Sequence, residues 1–162
     1  MKSSNYKPRI VDNQIENALS TFGAVCIEGP KWCGKTWTSD YHANSKIELG
    51  DPSGNFQNRQ LAELDPKLIL SGDTPRLIDE WQDAPKFWDA IRYEVGHSAG
   101  FGHYLLTGSS VPPDDRNERS GKKDIGHSGT GRIARVRMLP MSLWESEESS
   151  GSVSLGDLFA GI

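Results

Sequence analysis

The stretch "GPKWCGKTWT" at residues 29–38 fits the spacing G-x-x-x-x-G-K-[ST], with Gly29, Gly34, Lys35 and Thr36 in the four fixed places. Residue types in this order can cradle phosphates. Successive backbone N–H groups curl around an anion, and the positive end of the following helix adds to their field. Glycine serves where φ is positive or where the backbone must touch phosphate. The lysine ammonium reaches the β- and γ-phosphates, and the threonine hydroxyl binds Mg2+. Pro30, Lys31, Trp32 and Cys33 fill the variable places, and Trp37 follows just inside the expected helix, so residues 29–37 form the expected nucleotide-binding segment. Trp37 is expected to pack rather than to touch ligand. Cys33 occupies a variable place in the loop, where use as a nucleophile is the remote reading, whereas Cys26 reads as a small buried hydrophobe.

A loop of this kind needs an acid. "RLIDEWQ" supplies Asp79 and Glu80 after an apolar run. At the carboxyl end of a strand, Asp79 can share Mg2+ with Thr36 and the nucleotide oxygens. Glu80 beside it can orient or deprotonate the attacking water. An acidic pair after an apolar strand is also an ordinary solvated turn; the loop upstream tips the balance to chemistry. "YLLTGSS" ends in Thr107, Ser109 and Ser110, and Ser109 is the favoured hydroxyl to sense the γ-phosphate, although Ser and Gly there also suit a plain turn. Arg132, ahead of Arg135 and Arg137, is the candidate cation for charge developing in the transition state. The competing reading makes these arginines the solvated face of an edge strand.

The elements that must position these groups alternate. "IVDNQIENALSTF" has helical spacing and predicts a helix over residues 12–21. "AVCIEG" predicts a buried strand running into the loop, and "KTWTSDYHA" the helix behind it, the context the motif requires. "KIELGDP", "RLIDE", "HYLLTGSS" and "RIARVRML" predict four further strands. Residues 54–72 read as helical with a break near Pro66, "APKFWDAIRYEVGHS" as a helix, and "LPMSLWESEES" as a short one. Residues 24–107 are the expected nucleotide-binding core. The polar, punctuated residues 108–131 are expected to form a flexible loop. The sum is an α/β fold with a mainly parallel five-stranded sheet flanked by helices.

Bulk properties exclude other classes. The 162 residues suit one domain, and a net charge of −4 gives no sign of general nucleic-acid affinity. No apolar run approaches a membrane span. The first residues have no apolar core of a secretory signal, so Cys26 and Cys33 are expected as reduced thiols in the cytoplasm. The four histidines are scattered and are expected as unligated surface or loop residues.

"YKPRIVDNQIENAL", "GAVCIEGPKWCGKTWT", "RLIDEWQDAPKFWDAIRYEV", "YLLTGSS" and "HSGTGRIARVRMLPMSLWESEES" together resemble the prokaryotic AAA-type P-loop ATPases over residues 6–159. The resemblance implies a Walker A loop at residues 29–36, a Walker B pair at Asp79 and Glu80, a sensor around Thr107 and Ser109, and a trailing arginine segment. Members of that family usually continue into a C-terminal domain of unknown function, so residues 132–162 are expected to be the last strand and the start of such a region. "VPPDDRNERSGKKDIG" is longer than the family pattern. ATP and Mg2+ are the implied ligands, with self-association or a protein partner as the further expectation.

Three other classes compete. A GTPase needs an [NT]-K-x-D base-reading motif, and the nearest stretch, "GKKD" at residues 121–124, has glycine in its first place. A small-molecule kinase needs a lid, for which residues 108–131 would serve, but adjacent acids suit water activation better. An ATP-gated interaction module with little or no hydrolysis has no need of Glu80. The reading is an Mg2+-dependent ATPase of the AAA, additional-strand type, with the "YLLT" strand between the loop strand and the Asp79 strand, and with the gated module as the alternative.

Overall fold

The computed structural model describes residues 5–108, 131–152 and 154–161. Ser109 and nearly all of the expected flexible loop therefore lie outside the described residues. The elements run α1 (Asp12–Leu19), β1 (Ala24–Glu28), α2 (Lys35–His42), β2 (Ser45–Glu48), α3 (Ser53–Leu64), α4 (Pro66–Leu70), β3 (Arg76–Asp79), α5 (Phe87–His97), β4 (Tyr104–Thr107), β5 (Ile133–Arg137) and α6 (Leu155–Ala160).

The five strands form one sheet in the order β2-β3-β4-β1-β5, with every pairing parallel. The α/β class, the strand number and the place of β4 between β1 and β3 all match the expectation. Side-chain alternation along the central strands divides the core into two layers. Ala24 and Cys26 of β1 face one layer with Ile78, Leu106 and the α5 residues Phe87, Trp88 and Ile91. Val25 and Ile27 face the other, with Leu77, Leu105, Val136 and the α1 residue Ile15. Because neighbouring strands run the same way, all their carboxyl ends lie along one edge, where ligands of such sheets bind.

Local signals account for most boundaries. The break near Pro66 is real: Asp65 caps α4 by accepting from the N–H of Lys67, with Pro66 in the first helical turn. Pro85 falls just before the first turn of α5. The short helix expected from "LPMSLWESEES" does not form. Ser142 and Glu145 cap each other reciprocally, the N–H of Glu145 reaching Ser142 Oγ at 3.2 Å and the N–H of Ser142 reaching Glu145 Oε2 at 2.7 Å. The turn they open stops at once, because Glu147 is left-handed (φ 67°) and the N–H groups of Glu148 and Ser149 both return to the carbonyl of Leu143. The helix in this region is instead α6, capped by Ser154 and closed by left-handed Gly161.

Candidate functional site

Three strands deliver the site. β1 runs into Gly29, β3 ends on Asp79 and β4 ends on Thr107. Gly29 has no room for a side chain, since a Cβ there would stand 2.3 Å from the carbonyl oxygen of Met138, just past β5. Its glycine lets the loop pack against the exit of the neighbouring strand. Gly34 precedes α2 in the left-handed region (φ 95°), which glycine adopts without steric penalty. Trp32 is left-handed too (φ 68°) and 91% exposed, with the Lys31 ammonium 5.6 Å from its ring centre. A bulky residue there carries strain of roughly 1–3 kcal/mol, a cost that tends to collect at functional loops. Trp37 does not pack as expected. It is 56% exposed, because α2 turns the small side chains of Thr38 and Ser39 to the core instead.

Lys35 Nζ donates to the carbonyl oxygens of Gly29 and Pro30, both at 2.9 Å, so the ammonium reaches back across the loop. Thr36 Oγ1 donates to Asp79 Oδ1 at 3.0 Å, and Thr107 Oγ1 donates to the same oxygen. Asp79 is 8% exposed. Burial pushes its carboxyl above the ordinary range; the two threonine hydroxyls pull it back in part, and the charges of Glu80 and Glu48 push it further up. Thr36 thus meets Asp79 next to Lys35, and Thr107 is the hydroxyl found beside the acid.

Glu80 stands at the entry to a single 3-10 turn, Trp81–Asp83, in the left-handed region (φ 57°). Its Oε2 accepts from Gln82 Nε2. Gln82 also approaches the exit of β4 so closely that a Cβ on Gly108 would stand 2.1 Å from its Oε1. A side chain at position 108 would therefore displace the Gln82 amide that holds Glu80.

Arg132 is not brought to this edge. Ile133 pairs with Ala24 and Arg137 with Glu28, so Arg132 lies at the amino end of the sheet. At about 3.3 Å per strand residue, the length of β1 separates it from the loop by roughly 15 Å. Its guanidinium lies against α5, 3.1 Å from the position a Cβ on Gly96 would take. The parallel register is the cause: an arginine before a strand and a loop after its neighbour fall at opposite edges. Arg135 Nε lies 3.5 Å from Glu28 Oε1, and Arg137, at the carboxyl edge, is exposed.

Two residues escaped the sequence reading. Arg9 is 7% exposed, and its guanidinium donates through Nε to Glu145 Oε1 at 2.9 Å, through Nη1 to the carbonyl of Cys33 at 3.0 Å and through Nη2 to the carbonyl of Leu139 at 2.8 Å. Glu145 Oε1 also accepts from the N–H of Ile10 at 2.8 Å. Burial works against the Glu145 carboxylate, but N–H groups of Ser142 and Ile10, the Arg9 guanidinium and the Ser142 hydroxyl outweigh it and hold the pKa down at about 2. The only sequence signal was S-x-x-E at Ser142 and Glu145, a capping pattern.

The remaining expectations divide. Both cysteines are free and buried, and burial pushes the Cys26 thiol far up. Cys33, 4% exposed and closed over by its neighbours, is poorly placed as a nucleophile. His42 is not an unligated surface residue; its side chain is buried with Nε2 3.0 Å from Asp12 Oδ1. Beside the loop opens a cavity of about 270 Å3, lined by Tyr6, Lys7, Arg9, Trp32, Gly34 and Trp37 among others. A larger one, about 640 Å3, lies between α1 and β5, away from these groups. Among the described residues no three His, Cys, Asp or Glu side chains assemble into a metal cluster, and no helix is long and apolar enough to cross a membrane. Thr36 and Asp79 bring a hydroxyl and a carboxylate together at the loop.

Compared with known proteins, residues 21–147 match a family model described as an AAA domain. No curated protein matches the chain.

Proposed function

We propose, from the premise that the chain belongs to the AAA domain family, a family of nucleotide-binding, ATPase-like domains, that it binds ATP with Mg2+ at the carboxyl edge of its sheet and hydrolyses it. The observation that carries this reading is the convergence of Thr36 and Thr107 on one oxygen of Asp79 beside the Lys35 loop. In this reading Lys35 exchanges the carbonyls of Gly29 and Pro30 for the β- and γ-phosphates, while the loop N–H groups and the first turn of α2 meet the remaining charge. The donor set fits Mg2+, which takes a hydroxyl and one carboxylate together with phosphate oxygens and water. Thr36 and Asp79 would hold it, and it would neutralise charge on the β- and γ-oxygens.

Glu80 takes a proton from water as the water oxygen bonds to the γ-phosphorus and the bond from that phosphorus to the ADP oxygen breaks. Gln82 sets the direction from which the carboxylate acts. Thr107 orders Asp79, and Ser109, two residues further on, is assigned to the γ-phosphate. Arg132 can serve a phosphate only on a neighbouring subunit, which ties its role to self-association. Free Cys26 and Cys33 are in keeping with a cytoplasmic setting.

One observation favours the gated module: the Glu80 carboxylate is engaged by Gln82. Calorimetry with MgATP, paired with phosphate release, separates the two readings. Binding with turnover is the expected result; binding without it makes the chain a switch, and loss of neither in Lys35→Ala removes the site altogether.

A further inference from the structure

We infer that Arg9, held by Glu145, is a positioning residue for the phosphate loop. The inference rests on the ATP-site reading above. The guanidinium has three acceptors in three separate segments: the Glu145 carboxylate, the carbonyl of Leu139 just beyond β5, and the carbonyl of Cys33 inside the loop. All three distances lie between 2.8 and 3.0 Å, and both charged side chains are about 5% exposed or less. Such a planar fork is pre-organised to meet divergent acceptors at once, which a lysine ammonium on a flexible stem is not.

The chemistry lies in the peptide that Arg9 holds. Among the described residues the only cis peptide precedes Pro75, so the Cys33–Gly34 peptide is trans and its carbonyl and N–H point in opposite directions. A carbonyl drawn outward to Arg9 turns the N–H of Gly34 inward, to the side on which an anion would be met. Gly34 is left-handed, and the guanidinium comes so close that a Cβ on Gly34 would lie 3.3 Å from Arg9 Nη1. The loop is braced from behind. Without the brace, glycine's freedom at this position lets the peptide flip and present a carbonyl to the phosphates. Glu145 completes the device. One carboxylate oxygen holds Arg9 and the N–H of Ile10, and the other holds Ser142. The loop's peptide orientation is thereby tied to the segment that follows β5.

The test uses Arg9→Lys, Glu145→Gln and the double variant of the full chain. Affinities for MgATP and inorganic pyrophosphate are measured by calorimetry well below each variant's Tm, and the Gly34 amide is followed by NMR without nucleotide. Arg9→Lys is expected to weaken both ligands by about tenfold or more, the scale of one hydrogen bond to a charged group. It should shift the Gly34 amide while leaving those of Val25 and Leu105 in place. Glu145→Gln should act in the same direction and less strongly, and the double variant should lose little beyond Arg9→Lys, because the two act through one contact. A lowered Tm with unchanged pyrophosphate affinity would make Arg9 merely structural and overturn the inference. If the unsubstituted chain binds neither ligand, the ATP reading fails, and the amide still decides: an unmoved Gly34 resonance in Arg9→Lys overturns the positioning role.

Discussion

At the carboxyl edge of the sheet, Lys35, Thr36, Asp79 and Thr107 arrive from three strand ends and bond to one another or to the loop's own carbonyls. At the amino edge of the same strands, Arg132 lies along α5 near Gly96, and the large cavity that runs along β5 beside α1 is lined by Gln14, Asn17, Phe22 and Arg135 among others. The difference follows from direction. In a parallel sheet the strand exits share one edge, so groups far apart in sequence meet there, while groups at the entries meet only the helices that lead into them. Chemistry and scaffold are thus separated along β1, with Cys26 and Ile27 as buried packing between them.

If that separation holds, substitutions at the two edges must behave differently. Lys35→Ala should weaken ATP binding by about a hundredfold, the upper range for hydrogen bonds to charged groups. It should leave the circular-dichroism melt unchanged, since the hydrogen bonds of Nζ run to the loop itself. Normal affinity in that variant would place the nucleotide elsewhere. Glu80→Gln should still bind MgATP but release phosphate at least about tenfold more slowly, in keeping with general-base help. Asp79→Ala should instead weaken the Mg2+-dependent part of binding. Identical behaviour of the two variants would show that the neighbouring acids do not divide the work.

Two carboxylates near the carboxyl edge, Asp79 and Glu145, should part in acid. Mg2+-dependent binding requires ionised Asp79, whose pKa is raised chiefly by burial, so it should fade as pH drops while still above the ordinary carboxylate range. The same shift has the opposite sign for stability. A raised pKa favours the folded state below it, so ionisation of Asp79 costs stability as pH rises, and Asp79→Asn should melt higher at neutral pH. Glu145 runs the other way. Its pKa is lowered from 4.5 to about 2, so its contribution is complete above about pH 4.5 and is lost as pH falls towards about 2. Melting curves of Glu145→Gln should therefore converge on those of the unsubstituted chain in strong acid. The smallest effect is expected at the amino edge. Arg132→Ala in dilute protein should leave ATP binding and turnover within about twofold, as surface substitutions usually do. A large loss that appears only as concentration rises would assign the arginine to a neighbour's phosphate.

The sequence made the carboxyl edge legible because its parts carry local signals: glycines at fixed spacing, a lysine followed by a hydroxyl, and acids closing an apolar run. The place of the "YLLT" strand was legible through the additional-strand ATPase reading, whereas the places of β2 and β5 at the outside of the sheet were not read. The place of Arg132 was not legible for want of register, which no local pattern encodes: the residue's distance from the loop depends on which residue of β1 faces Ile133. Arg9 and Glu145 were invisible for a related reason, being partners 136 positions apart. Trp37 was misjudged because the loop's geometry, rather than hydrophobicity, decides which face of α2 meets the sheet. In the "SLWESEES" stretch the capping pattern was present, but the side chain that caps also serves Arg9, and left-handed Glu147 ends the turn.

The central claim is that the carboxyl edge hydrolyses ATP, and steady-state phosphate release measured with and without Mg2+, beside ATP binding on the same sample, addresses it most directly. The account predicts Mg2+-dependent release that disappears in Lys35→Ala and falls at least about tenfold in Glu80→Gln while MgATP remains bound. Tight MgATP binding with no release above the uncatalysed rate, or release that survives in Lys35→Ala, would contradict it.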